Sequence, residues 1–275
     1  LRQPLIIAYI FTGLIVGPAV LGFASSTALF ETMSQIGIAF LLFLVGLNLN
    51  WRNIHEIGPV ALLSGVGQVG FTSFVGFLIA RSLSFGTVES ILLGFALALS
   101  STIVIVKMLS DKDDLDRLYG RISVGILLVQ DLIAIIALLV ISAFADGHQI
   151  GLVVATTLFK GLAALIVLWL VAKHVLPTLI RYAAQSTELL FMVALAWCFA
   201  VASALHLMGF GIEIGSLLAG ISLAGTGFER EIGARVKSLR DFFLVIFFIV
   251  LGTNISPESF SVAVVPALIF SAFVL

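Results

Sequence analysis

Long apolar stretches separated by short polar or glycine-containing segments dominate the chain. A bilayer core about 30 Å thick requires roughly 20 apolar residues in an α-helix, so these stretches predict membrane-spanning helices. They are continuously apolar rather than alternating, which excludes a transmembrane β-barrel. Ten candidate spans result: 5–22, 33–49, 58–80, 87–109, 120–145, 150–176, 188–208, 212–227, 239–253 and 258–275. The pattern therefore predicts an all-α polytopic membrane protein.

The composition agrees with this fold class. Hydrophobic residues make up 61% of the 275 residues and charged residues 11%, with a mean hydropathy of +1.23, which excludes a water-soluble domain. The formal net charge of −1 gives no reason to expect a nucleic-acid partner. We find no phosphate loop, nucleophile elbow or metal-ligand spacing, so we expect a transporter rather than an enzyme, without a cofactor in this segment.

Basic residues are distributed unevenly between the predicted loops. If all ten spans cross the bilayer, Arg81 falls on one side and Lys160 lies inside the sixth span. The remaining twelve fall on the other side: Arg2, Arg52, Lys107, Lys112, Arg117, Arg121, Lys173, Arg181, Arg230, Arg235, Lys237 and Arg240. By the positive-inside rule the crowded side is cytoplasmic. The prediction is a multi-pass protein of the cytoplasmic (inner) membrane with its basic loops facing the cytoplasm.

The two ends of the chain resemble each other. Three pairs of matching residues are separated by 206 or 207 positions: Gly13 and Gly220, Gly46 and Gly252, Asn48 and Asn254. The first span matches the eighth, seven spans later. Because successive spans cross the membrane in opposite directions, matched partners that are an odd number of spans apart run in opposite directions. This predicts an inverted-topology repeat, the architecture of many secondary transporters.

The repeat offset also predicts the domain organisation. Residues 1–275 would form one transport domain, with a first repeat at about 1–176 and the start of a second at about 188–275. The repeat partner of the seventh span would precede Leu1, and those of the fourth and fifth would follow Leu275. We therefore expect the domain to be incomplete at both ends.

Asp131 is the strongest candidate for chemistry. It lies in an apolar stretch, roughly Leu118 to Phe144, whose only other charge is Arg121 at its edge. Ten helical residues place it about 15 Å beyond Arg121, near the bilayer midplane. An acid there costs at least roughly 2.5 to 3.5 kcal/mol, which favours a role in binding a cation or moving a proton. The alternative is a structural carboxylate paired with a neighbouring helix.

Polar residues accompany Asp131 at a similar depth. Ser100, Ser101 and Thr102 are consecutive in the fourth span, where an unwound segment would expose backbone carbonyls to an ion. Their hydroxyls can equally serve helix packing. Gln130 could orient the carboxylate or bind a cation, although neighbouring residues on a helix point about 100° apart. We predict a monovalent cation site formed by Asp131 with this hydroxyl segment.

These segments resemble a known family. The runs LLVQDLIAI (127–135), LALSST (97–102), GLIVGP (13–18) and DFFLVIFFIVLG (241–252) are similar to the membrane domain of monovalent cation:proton antiporter-2 proteins, in particular the Kef-type potassium/proton antiporters. The resemblance implies a thirteen-helix, usually dimeric antiporter with a core and a scaffold domain and elevator-like alternating access. About ten of those helices would be present here.

The resemblance also implies roles for residues. Asp131 would exchange H⁺ for K⁺ or Na⁺, with Gln130 as its partner and Ser100–Thr102 in one of two crossing broken helices. A second broken helix and a cytoplasmic nucleotide-binding regulatory domain would lie beyond Leu275. Asn48 stands where Kef-type sequences commonly have a glutamate. The residues leave K⁺ and Na⁺ undecided, and two other functions stay open: a Na⁺-coupled symporter of an organic anion and a channel-like or sensory membrane domain.

Overall fold

The computed structural model describes residues 5–18, 20–22, 28–48, 51–115, 117–145, 150–254 and 257–274, so that Arg2 and Leu275 lie outside the described residues. All regular structure in these ranges is helical. The helices are α1 (Leu5–Val16), α2 (Ala28–Asn48), α3 (Trp51–Ser82), α4 (Thr87–Ala98), α5 (Thr102–Asp111), α6 (Leu118–Ala145), α7 (Ile150–His174), α8 (Leu176–Ala183), α9 (Thr187–Leu207), α10 (Ile212–Leu223), α11 (Glu229–Thr253) and α12 (Pro257–Val274).

Each predicted span coincides with a helix or, for the fourth, with the pair α4 and α5. Six segments of the described chain are long and apolar enough to cross a membrane, which confirms an all-α multi-pass membrane protein. Some predicted limits are wrong. The helix α11 begins at Glu229 rather than at residue 239, because its charged first turns are helical although they are not apolar. The short helix α8, which starts with Leu176 and Pro177, was not predicted.

Most of the described helices associate as two bundles. The scaffold bundle consists of α1, α2, α9, α10 and α11, in which α2 packs extensively against both α10 and α11. The core bundle consists of α3, α4 and α6, with α3 in the middle. Gly76 of α3 packs on Gly94 of α4, since a Cβ on Gly76 would lie 3.0 Å from the Gly94 Cα. The half-helix α5 contacts both α6 of the core bundle and α2 of the scaffold bundle.

Two glycine contacts in the scaffold bundle are related by the predicted repeat. A Cβ on Gly13 of α1 would lie 3.0 Å from the Gly252 Cα in α11. A Cβ on Gly46 of α2 would lie 2.9 Å from the Gly220 Cα in α10. In the repeat, Gly13 corresponds to Gly220 and Gly46 corresponds to Gly252. The contact between Gly13 and Gly252 is therefore equivalent to the contact between Gly220 and Gly46. The close packing therefore has the two-fold relationship that the sequence offset predicted.

The two central helices of the scaffold bundle run in opposite directions. Gly37 of α2 lies against the backbone of Phe243 in α11, and a Cβ on Gly37 would lie 2.8 Å from the Phe243 carbonyl carbon. Phe243 is the residue that the repeat offset of 206 pairs with Gly37. Seven residues later Leu44 contacts Gly233, ten residues earlier in α11, where a Cβ on Gly233 would lie 3.7 Å from Leu44 Cδ2. Parallel helices would instead bring Leu44 near residue 250. The antiparallel crossing at Gly37 and Phe243 is the arrangement of an inverted repeat.

Candidate functional site

The fourth span is broken at the hydroxyl segment. The helix α4 ends at Ala98, α5 begins at Thr102, and residues 99–101 between them are not helical. Ser101 caps α5, because its hydroxyl accepts a hydrogen bond from the Val104 N–H at 3.4 Å. Ending one helix and starting another inside a span leaves backbone carbonyls and N–H groups without helical partners. These groups need partners from side chains or from a bound ion.

Asp131 of α6 lies beside this break. The Thr102 hydroxyl donates to its carboxylate, with Oγ1 at 3.3 Å from Oδ1 and 3.4 Å from Oδ2. Thr102 is the first residue of α5, so the carboxylate is next to the positive end of that half-helix dipole, which favours a negative charge. Asp131 is neither fully buried nor fully exposed. The structure thus brings together Asp131 and Thr102, two of the residues predicted for the site.

Gln130 points to the backbone of the break. Its side chain is buried, with 3% exposed. Its Oε1 accepts a hydrogen bond from the Ser100 N–H at 3.2 Å, and its Nε2 donates to Gln68 Oε1 at 2.5 Å. Gln130 and Asp131 therefore meet the same break on different sides, as expected for neighbouring residues that point about 100° apart. Whether Gln130 also serves as the partner of Asp131 in transport stays a prediction.

Gln68 was missed by the sequence analysis. It lies on α3, where its Nε2 donates to the Ala98 carbonyl at 3.3 Å and to Thr72 Oγ1 at 3.3 Å. Ala98 is the last residue of α4, so this bond satisfies one of the carbonyls that the break frees. The available signal was an amide inside an apolar span. The sequence does not show that α3 packs on α4 and α6, so this amide alone did not indicate a hydrogen-bond partner.

The groups at the break suit a hard monovalent cation. Asp131 offers a carboxylate and Thr102 a hydroxyl in contact with it, and Ser100 and Ser101 place two more hydroxyl groups on the adjacent non-helical segment. Ser100 and Ser101 are exposed. Oxygen ligands of this kind bind alkali cations in channels and transporters. In the part of the chain that the structure describes, no three His, Cys, Asp or Glu residues are grouped as a transition-metal site would need.

A second acid lies near Asp131. Glu213, in the first turn of α10, is close enough for its negative charge to interact with that of Asp131. Together with Gln35 of α2 and His206 of α9, it lines a cavity of about 170 Å³. The scaffold bundle thus has a cavity with three polar side chains at the start of α10.

The whole chain, residues 1–275, matches the family described as "Sodium/hydrogen exchanger, transmembrane". It is 31% identical over 264 residues to "K(+) efflux antiporter 5" of Arabidopsis thaliana, covering 93% of this chain and 46% of that protein. It is 28% identical to "Iron transporter MagA" of Paramagnetospirillum magneticum, covering 92% of this chain and 58% of the relative.

A third relative is similar at the same level. The chain is 29% identical to "Putative K(+) efflux antiporter KefB" of Alkalimonas amylolytica, covering 92% of this chain and 39% of the relative. The chain thus spans between 39% and 58% of the length of these three curated relatives. These comparisons confirm the resemblance to Kef-type cation/proton antiporters.

Proposed function

The chain belongs to the sodium/hydrogen exchanger family of transmembrane proteins, and on that premise we propose that it is the transport domain of a monovalent cation/proton antiporter. It would exchange K⁺ or Na⁺ for H⁺ across the cytoplasmic membrane as a secondary active transporter, not as an enzyme. The names of the relatives support a potassium or sodium substrate. Its substrate partners are a proton and a monovalent cation.

The observation that supports this function most directly is the contact of Asp131 with Thr102 at the helix break. A carboxylate inside a membrane span, in contact with a hydroxyl beside a helix break, can hold either a proton or a cation. When one carboxylate serves both, each ligand excludes the other. The empty site would keep a bare negative charge, which is expensive to move through a hydrophobic barrier. Exchange of one ligand for the other then becomes the favoured cycle.

Alternating access would arise from movement of the core bundle against the scaffold bundle. The core bundle holds Gln68, the first half of the broken helix (α4) and Asp131, and α3 packs closely on both α4 and α6. We propose that it moves as a unit while the scaffold bundle forms a homodimer in the bilayer. The basic loops would face the cytoplasm, and we propose regulation of transport by a cytoplasmic nucleotide-binding domain.

The decisive variant is Asp131→Asn in the full-length protein, reconstituted in proteoliposomes. Asparagine keeps the size of the side chain and its hydrogen bond with Thr102, but it cannot gain and lose a proton. Cation-driven proton movement should be abolished with K⁺ and with Na⁺, while the protein stays folded by melting temperature. Lys160→Gln is the control: this exposed lysine in α7 also removes a charge from inside a predicted span, and its loss should preserve exchange.

The same preparation separates the other functions. Coupled exchange at the wild-type rate in Asp131→Asn would overturn the proposed mechanism. Cation flux without proton movement in the wild type would favour a channel-like domain instead. Uptake of a labelled organic anion that depends on Na⁺ would favour a symporter.

A further inference from the structure

Two glutamines form a hydrogen-bonded bridge across the break in the fourth span. Gln68 donates to the Ala98 carbonyl, at the end of α4, and Gln130 accepts from the Ser100 N–H. Gln130 Nε2 donates to Gln68 Oε1, which joins the two amides. The bridge thus connects a backbone acceptor before the break to a backbone donor within it, through α3 and α6.

We propose that Gln68 is a positioning residue for cation binding, which acts by holding the broken helix in the geometry that binds the ion. This inference rests on the proposed transport function. Oxygen ligands bind a cation well only when they are fixed at the right separation, and the groups around them provide that fixation. Here the proposed ligands include groups of the non-helical residues 99–101, and the two glutamines bond the Ala98 carbonyl and the Ser100 N–H beside them. The position of this segment therefore depends on side chains from neighbouring helices.

The packing of α3 on α6 fixes the bridge. A Cβ on Gly65 of α3 would lie 2.9 Å from the Val129 side chain, so the two helices touch next to both glutamines. Thr72, one turn after Gln68, takes the second hydrogen of the Gln68 amide. With both of these contacts, the Gln68 side chain has one orientation in which all of its polar atoms are bonded.

The direction of the hydrogen bonds makes the amide at position 68 specific. Ala98 offers a carbonyl, so the atom facing it must be a donor, and Gln130 offers an N–H, so the atom facing it must be an acceptor. A glutamate at position 68 would keep the acceptor but would turn a second carboxylate oxygen towards the Ala98 carbonyl. A methionine would keep the length and lose both bonds. The Gln68 oxygen is already bonded to Gln130, which favours a supporting role over direct contact with the ion.

The test uses Gln68→Met in the full-length protein in proteoliposomes. We expect the half-saturation concentration for the transported cation to rise about 10- to 100-fold, the usual cost of losing a group that orients ligands. The maximal rate should stay within about threefold of wild type, because Asp131 and Thr102 are unchanged. Hydrogen–deuterium exchange should be faster in the peptide that contains Ser100. Gln185→Leu, which replaces an exposed glutamine between α8 and α9, is the matched control and should change none of these values.

Gln130→Met should have the same effect, and the double variant should cost no more than the worse single one, because both remove one bridge. If Gln68→Met does not fold, Gln68→Leu provides the same test, because it also removes both bonds without adding a charge. The inference would be overturned if the half-saturation concentration and the hydrogen–deuterium exchange at Ser100 were both unchanged. It would also be overturned if the effects of the two substitutions on the half-saturation concentration were additive. The proposed function would instead be overturned if the wild-type protein did not exchange cations for protons, or if that ion exchange did not require Asp131.

Discussion

Arg240 of α11 donates a hydrogen bond from Nη1 to the hydroxyl oxygen of Ser110 of α5 at 2.9 Å. The arginine is 4% exposed, and its Nε and Nη2 also bind Asp241 Oδ1 at 3.1 and 2.9 Å. Lys107 of α5 contacts the same carboxylate oxygen at 3.2 Å. This polar cluster joins the second half of the broken helix to the scaffold bundle.

The first prediction is that Ser110→Ala destabilises the protein. The buried Arg240 guanidinium would lose an acceptor, and hydrogen bonds to charged groups contribute about 1.5 to 3 kcal/mol. The melting temperature of the purified protein in detergent should fall by several degrees. Ser82→Ala is the control, because the Ser82 hydroxyl is exposed and bonds to the Ile79 carbonyl in its own helix. Equal melting temperatures for the two variants would show that the bond to Ser110 contributes little.

The second prediction concerns the glycine contact between α2 and α10. Gly46→Ala would bring a methyl group within 2.9 Å of the Gly220 Cα and closer still to the Leu217 carbonyl, so the helices must move apart. Overpacking of this kind costs typically about 1 to 3 kcal/mol. Gly70→Ala, at a glycine with nothing within 4 Å of the added atom, is the matched control and should not destabilise. Thermal unfolding of both variants measures the difference, and a stable Gly46→Ala would contradict the close contact.

The third prediction is that proton and cation compete for Asp131. A proton on the carboxylate must leave before a cation binds, so the apparent cation affinity should weaken as pH falls. Well below the pKa of the group, the half-saturation concentration should rise about tenfold per pH unit, and well above it the value should be constant. A pH series in proteoliposomes provides the measurement. A value independent of pH, in a preparation that exchanges protons, would mean that the two ions use separate sites.

The fourth prediction is the orientation in the membrane. With the basic loops inside, a membrane-impermeant thiol reagent should label Ser84→Cys in intact cells, and Lys112→Cys only after permeabilisation. Both residues are exposed in turns, Ser84 before the start of α4 and Lys112 after the end of α5, so they lie at opposite ends of the broken helix. Cys198 is buried, so the wild-type protein should remain unlabelled and serves as the control. The reverse labelling pattern would invert the predicted topology.

Much of the candidate site could be predicted from the sequence because burying a charge in a membrane is expensive. That cost made Asp131 conspicuous among apolar residues, and three adjacent hydroxyl residues marked the segment where the structure has its break. Gln68 carried no comparable signal. A glutamine in an apolar helix can serve many neighbours, and only the packing of α3 on α4 and α6 determines that its partners are Ala98 and Gln130.

The sequence by itself determined the membrane class, the approximate positions of the spans and the repeat, because apolar length and a constant offset are properties of the chain alone. It placed the start of α11 at residue 239 instead of Glu229 and did not predict α8, because polar residues continue a helix as readily as they end one. The tertiary structure decided which glycines meet, that Gly13 faces Gly252 while Gly46 faces Gly220. It also decided that Gln130 faces the backbone while Asp131 faces Thr102. Such contacts depend on how helices distant in sequence cross, and local pattern does not specify a crossing.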